Sequence, residues 1–263
     1  MTLETRFVRE LGRLHLPATP SPLGEIGLRE LEPLPEPAQR YLKFMGVVGR
    51  PRNWSFMASF VGRFRIGADQ PWRACETRQY SSGLVIARHF HMRLRVWGMP
   101  VHGRDTYVDG HGRMVIRPFD LVTVVDGHGA GFDRGEQVTW LNDAVLLAPS
   151  FLFHPGIRWG EVDAGAFDLS LTDAGRTVRA RVTVDRRGAP VNFETEDRSM
   201  DVRGSSEPVP TSWSSPVRDF QCIDGRQVPR HAQAIWQLES GPFPYADFEL
   251  VPDSLRFDVE AGH

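Results

Sequence analysis

Cysteine is nearly absent: of 263 residues only Cys75 and Cys222 carry a thiol. Two cysteines exclude a disulfide-dense scaffold and any all-cysteine zinc site. Charge of one sign is not in surplus either. The 31 basic side chains stand against 33 acidic ones, a formal −2, and nothing global points to a nucleic-acid partner. No apolar run approaches the roughly 20 residues of a membrane span, and the N-terminus lacks the apolar stretch of a signal peptide. The expectation is a soluble, cytoplasmic chain. Catalytic fingerprints are missing as well: there is no G-x-S-x-G elbow, no G-x-G-x-x-G after a strand and no Walker loop. The glycine-rich GHGAG at 127–131 has no lysine behind it and reads as a turn. No cofactor is expected.

What remains is ordinary globular composition, 41% hydrophobic and 24% charged, in a chain long enough to bury roughly 70–75% of its unfolded surface. The first 50 residues differ from the rest. Leu3, Phe7, Leu11 and Leu14 recur at helical spacing with Thr2 as a cap, and prolines crowd 17–22 and 33–37, where helix is disfavoured. A second helix is expected over 36–45, with Pro37 in its first turn and Gly46 to stop it. Residues 1–50 therefore read as a helical, proline-rich arm, and 51–263 as the main domain.

From Trp54 the dominant period is two. Trp54, Phe56, Ala58, Phe60, Phe64 and Ile66 alternate with Ser55, Ser59, Arg63 and Arg65, the pattern of a strand with one buried face. In 84–97, Phe90, Met92, Leu94 and Val96 alternate with His89, His91, Arg93 and Arg95. Turn residues at Asp109-Gly110, Asp173-Ala174-Gly175 and Asp224-Gly225 mark hairpins. Counting further segments up to 259 gives about eleven strands. One stretch breaks the period: in 134–148, Val138, Leu141, Val145 and Ala148 are spaced as on a helix, Pro149 ends it, and Asp133 with Glu136 resembles a capping box. The fold class is thus mainly β, a strongly curved antiparallel sheet or partly closed barrel, with a covering helix and N-terminal helices.

The succession LPEPAQRYL (34–42), RDTYVDGHGRM (104–114), WLNDAVLLAPS (140–150), FETEDRSM (193–200) and AIWQLESGPFPYADFEL (234–250) resembles a bacterial, mainly actinobacterial, family known as a domain of unknown function. The likeness spans roughly residues 34–258. It implies no activity, and it places Asp105, Asn142, Asp143, Glu196, Asp197 and Arg198 in the family's motifs. The strand–helix–strand order is also similar to the half-barrels of LolA-like lipoprotein carriers, a resemblance of architecture alone.

Several residues carry chemistry. His89 and His91 share a strand face and so the reach of one metal ion. The spacing from Gly83 is similar to a first cupin motif, but Arg95 stands where that motif wants a carboxylate. His102 and His231 are the candidates for a third ligand, nothing in the spacing requires either, and the expectation is no metal. The same stripe, His89, His91, Arg93, Arg95 and Trp97, forms the polar part of a pocket if it faces inward, and plain outer surface if it does not. Asp105, sharing a face with Tyr107, and Asp143 are the candidate acid–base residues; the competing reading is a buried Asp–Arg pair that fixes helix to sheet. Trp140, Trp159, Trp213, Trp236, Phe243 and Tyr245 make either an aromatic pocket wall or a core. Asn142, Arg198, Trp236 and Tyr245 join Tyr107 and Trp140 as candidate ligand contacts. The function these features suggest is binding of a small hydrophobic molecule in a β-lined cavity. The alternative is a cofactor-free enzyme, a cyclase or isomerase acting on a hydrophobic biosynthetic intermediate.

Overall fold

Alternation in the sequence becomes strand almost throughout. A computed structural model describes residues 3–14, 16, 23–119, 122–200 and 208–261. Strands β1 (Ser55–Phe64), β2 (Arg73–Ser82), β3 (Ala87–Val96), β4 (Met99–Val108), β5 (His111–Pro118) and β6 (Val125–His128) come first. Next are β7 (Ile157–Asp163), β8 (Ala166–Asp173), β9 (Arg176–Val184) and β10 (Pro190–Thr195). The short β11 (Ser199–Met200) and β12 (Val209–Pro210) pair with each other. Strands β13 (Trp213–Ile223), β14 (Arg226–Leu238), β15 (Gly241–Leu250) and β16 (Arg256–Phe257) complete the order. Four α-helices accompany them: α1 (Leu3–Leu11), α2 (Leu28–Leu31), α3 (Glu36–Phe44) and α4 (Ala130–Leu147). Among the described residues no helix is long and apolar enough to cross a membrane.

Fourteen strands form one antiparallel sheet, in the order β6-β5-β4-β3-β2-β1-β15-β14-β13-β10-β9-β8-β7, with β16 beside β1. The count exceeds the expected eleven because strands such as β6 (VDGH) and β7 (IRWGEVD) carry glycine where alternation would be read. The sheet is strongly bent. Helix α4 touches β3 to β6 on one wing and β9, β10 and β14 on the other. The nine spacings from β5 to β9 would span roughly 43 Å if flat, at about 4.8 Å each, whereas a helix is about 10–12 Å across. Only a sheet folded around the helix meets it from both sides.

The wings also touch at one end. Asp109 and Gly110 (φ 52° and 79°) make the β4–β5 turn, and Ala174 and Gly175 (φ 47° and 75°) make the β8–β9 turn, both in the left-handed pairs that tight hairpins favour. Gly110 packs so closely on Ala174 that a side chain there would collide with its Cβ. Tyr107 Oη donates to Asp173 Oδ2 at 2.6 Å, and Arg176 Nη2 donates to the Gly110 carbonyl at 2.6 Å.

Helix α4 begins four residues ahead of the expected start, with Gly129 at its N-cap, and no side chain caps it. The expected capping box does not form because both of its acids are used elsewhere. The Asp133 carboxylate accepts from the Gly112 backbone N–H at 2.8 Å, and Glu136 turns into the core. The helix is buried on most of its circumference, as one wrapped by a sheet must be. The N-terminal segment divides. Tyr41, Leu42 and Met45 on and after α3 enter the main core, where Tyr41 Oη donates to the Val145 carbonyl at 2.6 Å. Helix α1 instead lies on the outer face of the sheet, where Phe7 and Leu11 join Met57 and Tyr80 in a second small core.

Candidate functional site

Register decides which side chains meet α4, because directly paired residues of an antiparallel ladder share a face. One row across the sheet is Phe56, Ser81, Arg88, Tyr107 and Gly112; the next is Ala58, Gln79, Phe90, Asp105 and Met114. Both rows face the helix. Glu136, Trp140 and Asp143 follow one another at spacings of four and three, so they form one stripe on α4.

Arg88 is where sheet and helix join. Its Nε donates to Asp143 Oδ2 at 2.7 Å and its Nη1 to Glu136 Oε2 at 3.0 Å. Gln79 Nε2 donates to the same Asp143 oxygen at 2.5 Å. All four side chains are buried, and the guanidinium lies 4.8 Å from the centre of the Phe90 ring. Trp140 Nε1 donates to the Ser82 carbonyl at 2.9 Å and its ring stacks on Phe151. Asp105 sits beside this cluster, partly buried, and no described residue donates a hydrogen bond to its carboxyl.

Burial raises the pKa of Asp105, against the pull of Arg88 and Arg198. Burial and the neighbouring Asp105 push Glu136 up to about 7, again against Arg88 and Arg198. Asp143 is raised by burial too, with Arg88 opposing. The main physical cause is burial, which disfavours the charged form of each carboxyl; three carboxyls share two guanidiniums in this poorly hydrated place, and Arg88 and Arg198 offset the burial only in part.

Arg198 belongs to the opposite wing and lies over two indoles, 4.7 Å from Trp213 and 5.4 Å from Trp236. Trp213 Nε1 donates to Tyr245 Oη at 3.0 Å, Trp236 stacks on Tyr245, and Phe64 meets Tyr245 edge-on at 5.7 Å. From this wall an apolar strip runs along the inner face through Phe60, Phe248 and Phe90, with successive ring centroids 6.4 Å apart. Phe60, Phe64, Met92, Tyr245 and Phe248 along it are all partly exposed.

Of the sequence-derived candidates, Asp105, Asp143, Arg198, Trp236 and Tyr245 come together on this inner face. Tyr107 and Trp140 also point inward, but their polar atoms are spent on Asp173 and Ser82. Asn142 is buried on α4, its Oδ1 unpartnered among the described residues. Of the two orientations open to the 89–97 stripe, the structure has the outward one, because Arg88 and Phe90 take the inner side. His89 and His91 are buried beneath α1. Arg93 pairs with Glu76 across the outer surface, Arg95 is exposed, and Trp97 is 84% exposed at the β3–β4 turn with φ 51°. Trp159 packs on Phe167, away from the wall around Tyr245. Sequence reasoning missed Arg88, Gln79 and Glu136. Arg88 heads the even-numbered set that continues Phe90, Met92, Leu94, a signal that its position ahead of the aromatic obscured.

An open depression of about 670 Å³ lies on the other wing beside Asp168, Arg179, Arg181 and Glu194. Two of its charges meet in the Arg181–Asp168 pair at 2.9 Å.

Residues 25–248 match the model of a family of unknown function, DUF6544. No curated protein matches the chain. Among solved structures, the fold is similar to a LolA superfamily protein from Nitrosomonas europaea, with 15% identity over 83% of this chain and 92% of that one, at a TM-score of 0.42. It is also similar to a DUF1329 family protein from Desulfovibrio piger, with 14% identity over 79% and 87% of the two chains, at a TM-score of 0.45.

Proposed function

The chain belongs to DUF6544, and from its own geometry we propose that it binds a small, largely hydrophobic molecule along the inner face of the bent sheet. One observation carries this reading. Phe60, Phe64, Met92 and Phe248 stay partly exposed on the side of the sheet that α4 covers elsewhere, although apolar side chains there gain about 25 cal/mol per Å² by being covered. The apolar body of a ligand lies along these rings, and its polar end meets Arg198 and Asp105. The aromatic faces under Arg198 hold that guanidinium in a fixed direction, which favours a ligand with one anionic or hydrogen-bonding end.

The test is native mass spectrometry and thermal shift against a panel of fatty acids, isoprenoids and polyketide-like molecules. The expected result is a stabilising ligand with one polar terminus, whose binding is lost in Phe248→Asp and weakened in Arg198→Met. Failure of every apolar compound to bind, or full binding by Phe248→Asp, rejects the proposal.

A second reading is favoured by the carboxyls of Asp105 and Glu136 beside this strip: burial raises the pKa of both, that of Glu136 to about 7, and so favours their protonated forms. A protonated acid facing an apolar surface is suited to general acid catalysis of cyclisation or isomerisation without a cofactor. Under that reading Asp105→Asn binds the ligand as the parent protein does and does not turn it over. Unchanged turnover in Asp105→Asn and in Asp143→Asn removes these residues from catalysis.

A further inference from the structure

The outer face of β3 holds a cluster that the inner-face site does not use. His89 and His91 are both about 1% exposed, and they alternate with the inward Arg88 and Phe90. Helix α1 lies across them, with the Phe7 ring 5.1 Å from His89 and 6.3 Å from His91. Glu10 follows Phe7 by three residues and so appears one turn further along the same helix face. Its Oε2 stands 3.2 Å from His91 Nε2. One ligand atom from each of Glu10, His89 and His91 lies within 4.8 Å of the others.

The state of the imidazoles points to a missing partner. Among the described residues, neither ring nitrogen of His89 has a hydrogen-bond partner, and neither has His91 Nδ1. Buried polar atoms are almost always satisfied, and an imidazole without hydrogen bonds is also one whose lone pair is unclaimed.

We propose that Glu10, His89 and His91 bind one divalent first-row transition ion of the zinc class and that this ion fastens α1 to the sheet. Two imidazoles and a carboxylate are the donor set such borderline-soft ions take. Ligand atoms around zinc stand about 3–3.5 Å apart, so small side-chain rotations close the cluster. Arg104 Nη1, which donates to Glu10 Oε2 at 3.0 Å, would orient the ligating carboxylate from outside, as outer partners do in metal sites. A cavity of about 10 Å³ beside Glu10, His91, His102 and Arg104 has room for a single water-sized further ligand. The sequence concealed the set because its carboxylate comes from a helix nearly eighty positions upstream. The cluster is on the face opposite the apolar strip, so the proposal stands independently of the ligand-binding reading.

The test uses the full-length chain, stripped of metal and titrated with Zn²⁺ and Co²⁺. Expected are one ion bound per chain, the visible absorption of a low-coordinate Co²⁺ site, and slower hydrogen exchange in α1 on binding. Glu10→Gln, which leaves the sheet intact, should weaken binding by at least about 10–100-fold, and His89→Gln/His91→Gln should abolish it, each checked for a folded sheet by circular dichroism. No uptake by the parent protein overturns the proposal. So does binding by Glu10→Gln as tight as the parent's.

Discussion

At the scale of single residues, Arg88 decides the interior. Its guanidinium answers two carboxylates of α4 across the sheet, and a buried pair that loses one partner costs far more than it contributed intact. Arg88→Met is therefore expected to destabilise the protein by about 3–5 kcal/mol, read from the midpoint of urea unfolding. Glu136 gives a signed pH dependence. Its folded pKa of about 7 lies above the ordinary glutamate value of 4.5, so between these two values the folded state holds a proton that the unfolded chain has released. Stability from this group is full below pH 4.5 and declines as pH rises towards 7, by up to about 1.4 kcal/mol per pH unit. His89 acts with the opposite sign. Its folded pKa of about 3 lies below 6.5, so its contribution is lost as pH falls from 6.5. The two effects overlap between pH 4.5 and 6.5 and are separated by a variant. Glu136→Gln should show a steeper gain in stability with pH over that interval than the parent protein.

At the scale of elements, the helices behave differently from one another. Helix α4 is held by both wings, and its polar side chains are tied to the sheet. Helix α1 rests on the outside through Phe7, Leu11 and the Glu10 contacts with His91 and Arg104. An element with so few partners opens below the global unfolding free energy. Phe7→Ala is expected to speed amide exchange throughout α1 while β1 to β4 remain as protected as before, as hydrogen-exchange mass spectrometry will resolve. Equal loss of protection in α1 and the sheet would mean that the helix is part of the cooperative core. The capping residues teach a related lesson. Asp133 and Glu136 have the spacing of a helix start, yet the Gly112 amide and Arg88 are stronger claims on their carboxylates than the ends of their own helix.

At the scale of the whole molecule, the contact between the β4–β5 and β8–β9 turns holds the bend. Tyr107→Phe removes the hydrogen bond to Asp173 that spans the wings and should cost about 1 kcal/mol in denaturant titrations, with the sheet otherwise intact by circular dichroism. Much of the fold was legible in the chain. Period two from Trp54 marked the strands, and Asp109-Gly110 and Asp224-Gly225 marked hairpins, because alternation and left-handed turns are properties of neighbouring residues. The candidate site was legible in part. Asp105, Asp143, Arg198, Trp236 and Tyr245 could be singled out as polar or aromatic residues within an apolar pattern. Arg88 and Glu136 could not, since each looks ordinary until the other is placed opposite it.

The sequence by itself determined where strands alternate, where they turn and that a helix interrupts them, since these depend on sterics and spacing within a few residues. Only the tertiary structure decided which side of β3 faces the core. Both sides of that strand carry cations and bulky groups, so local pattern leaves them equivalent. The choice falls to non-local burial: α4 brings acids to Arg88 on one face, and α1 brings Glu10 to the histidines on the other.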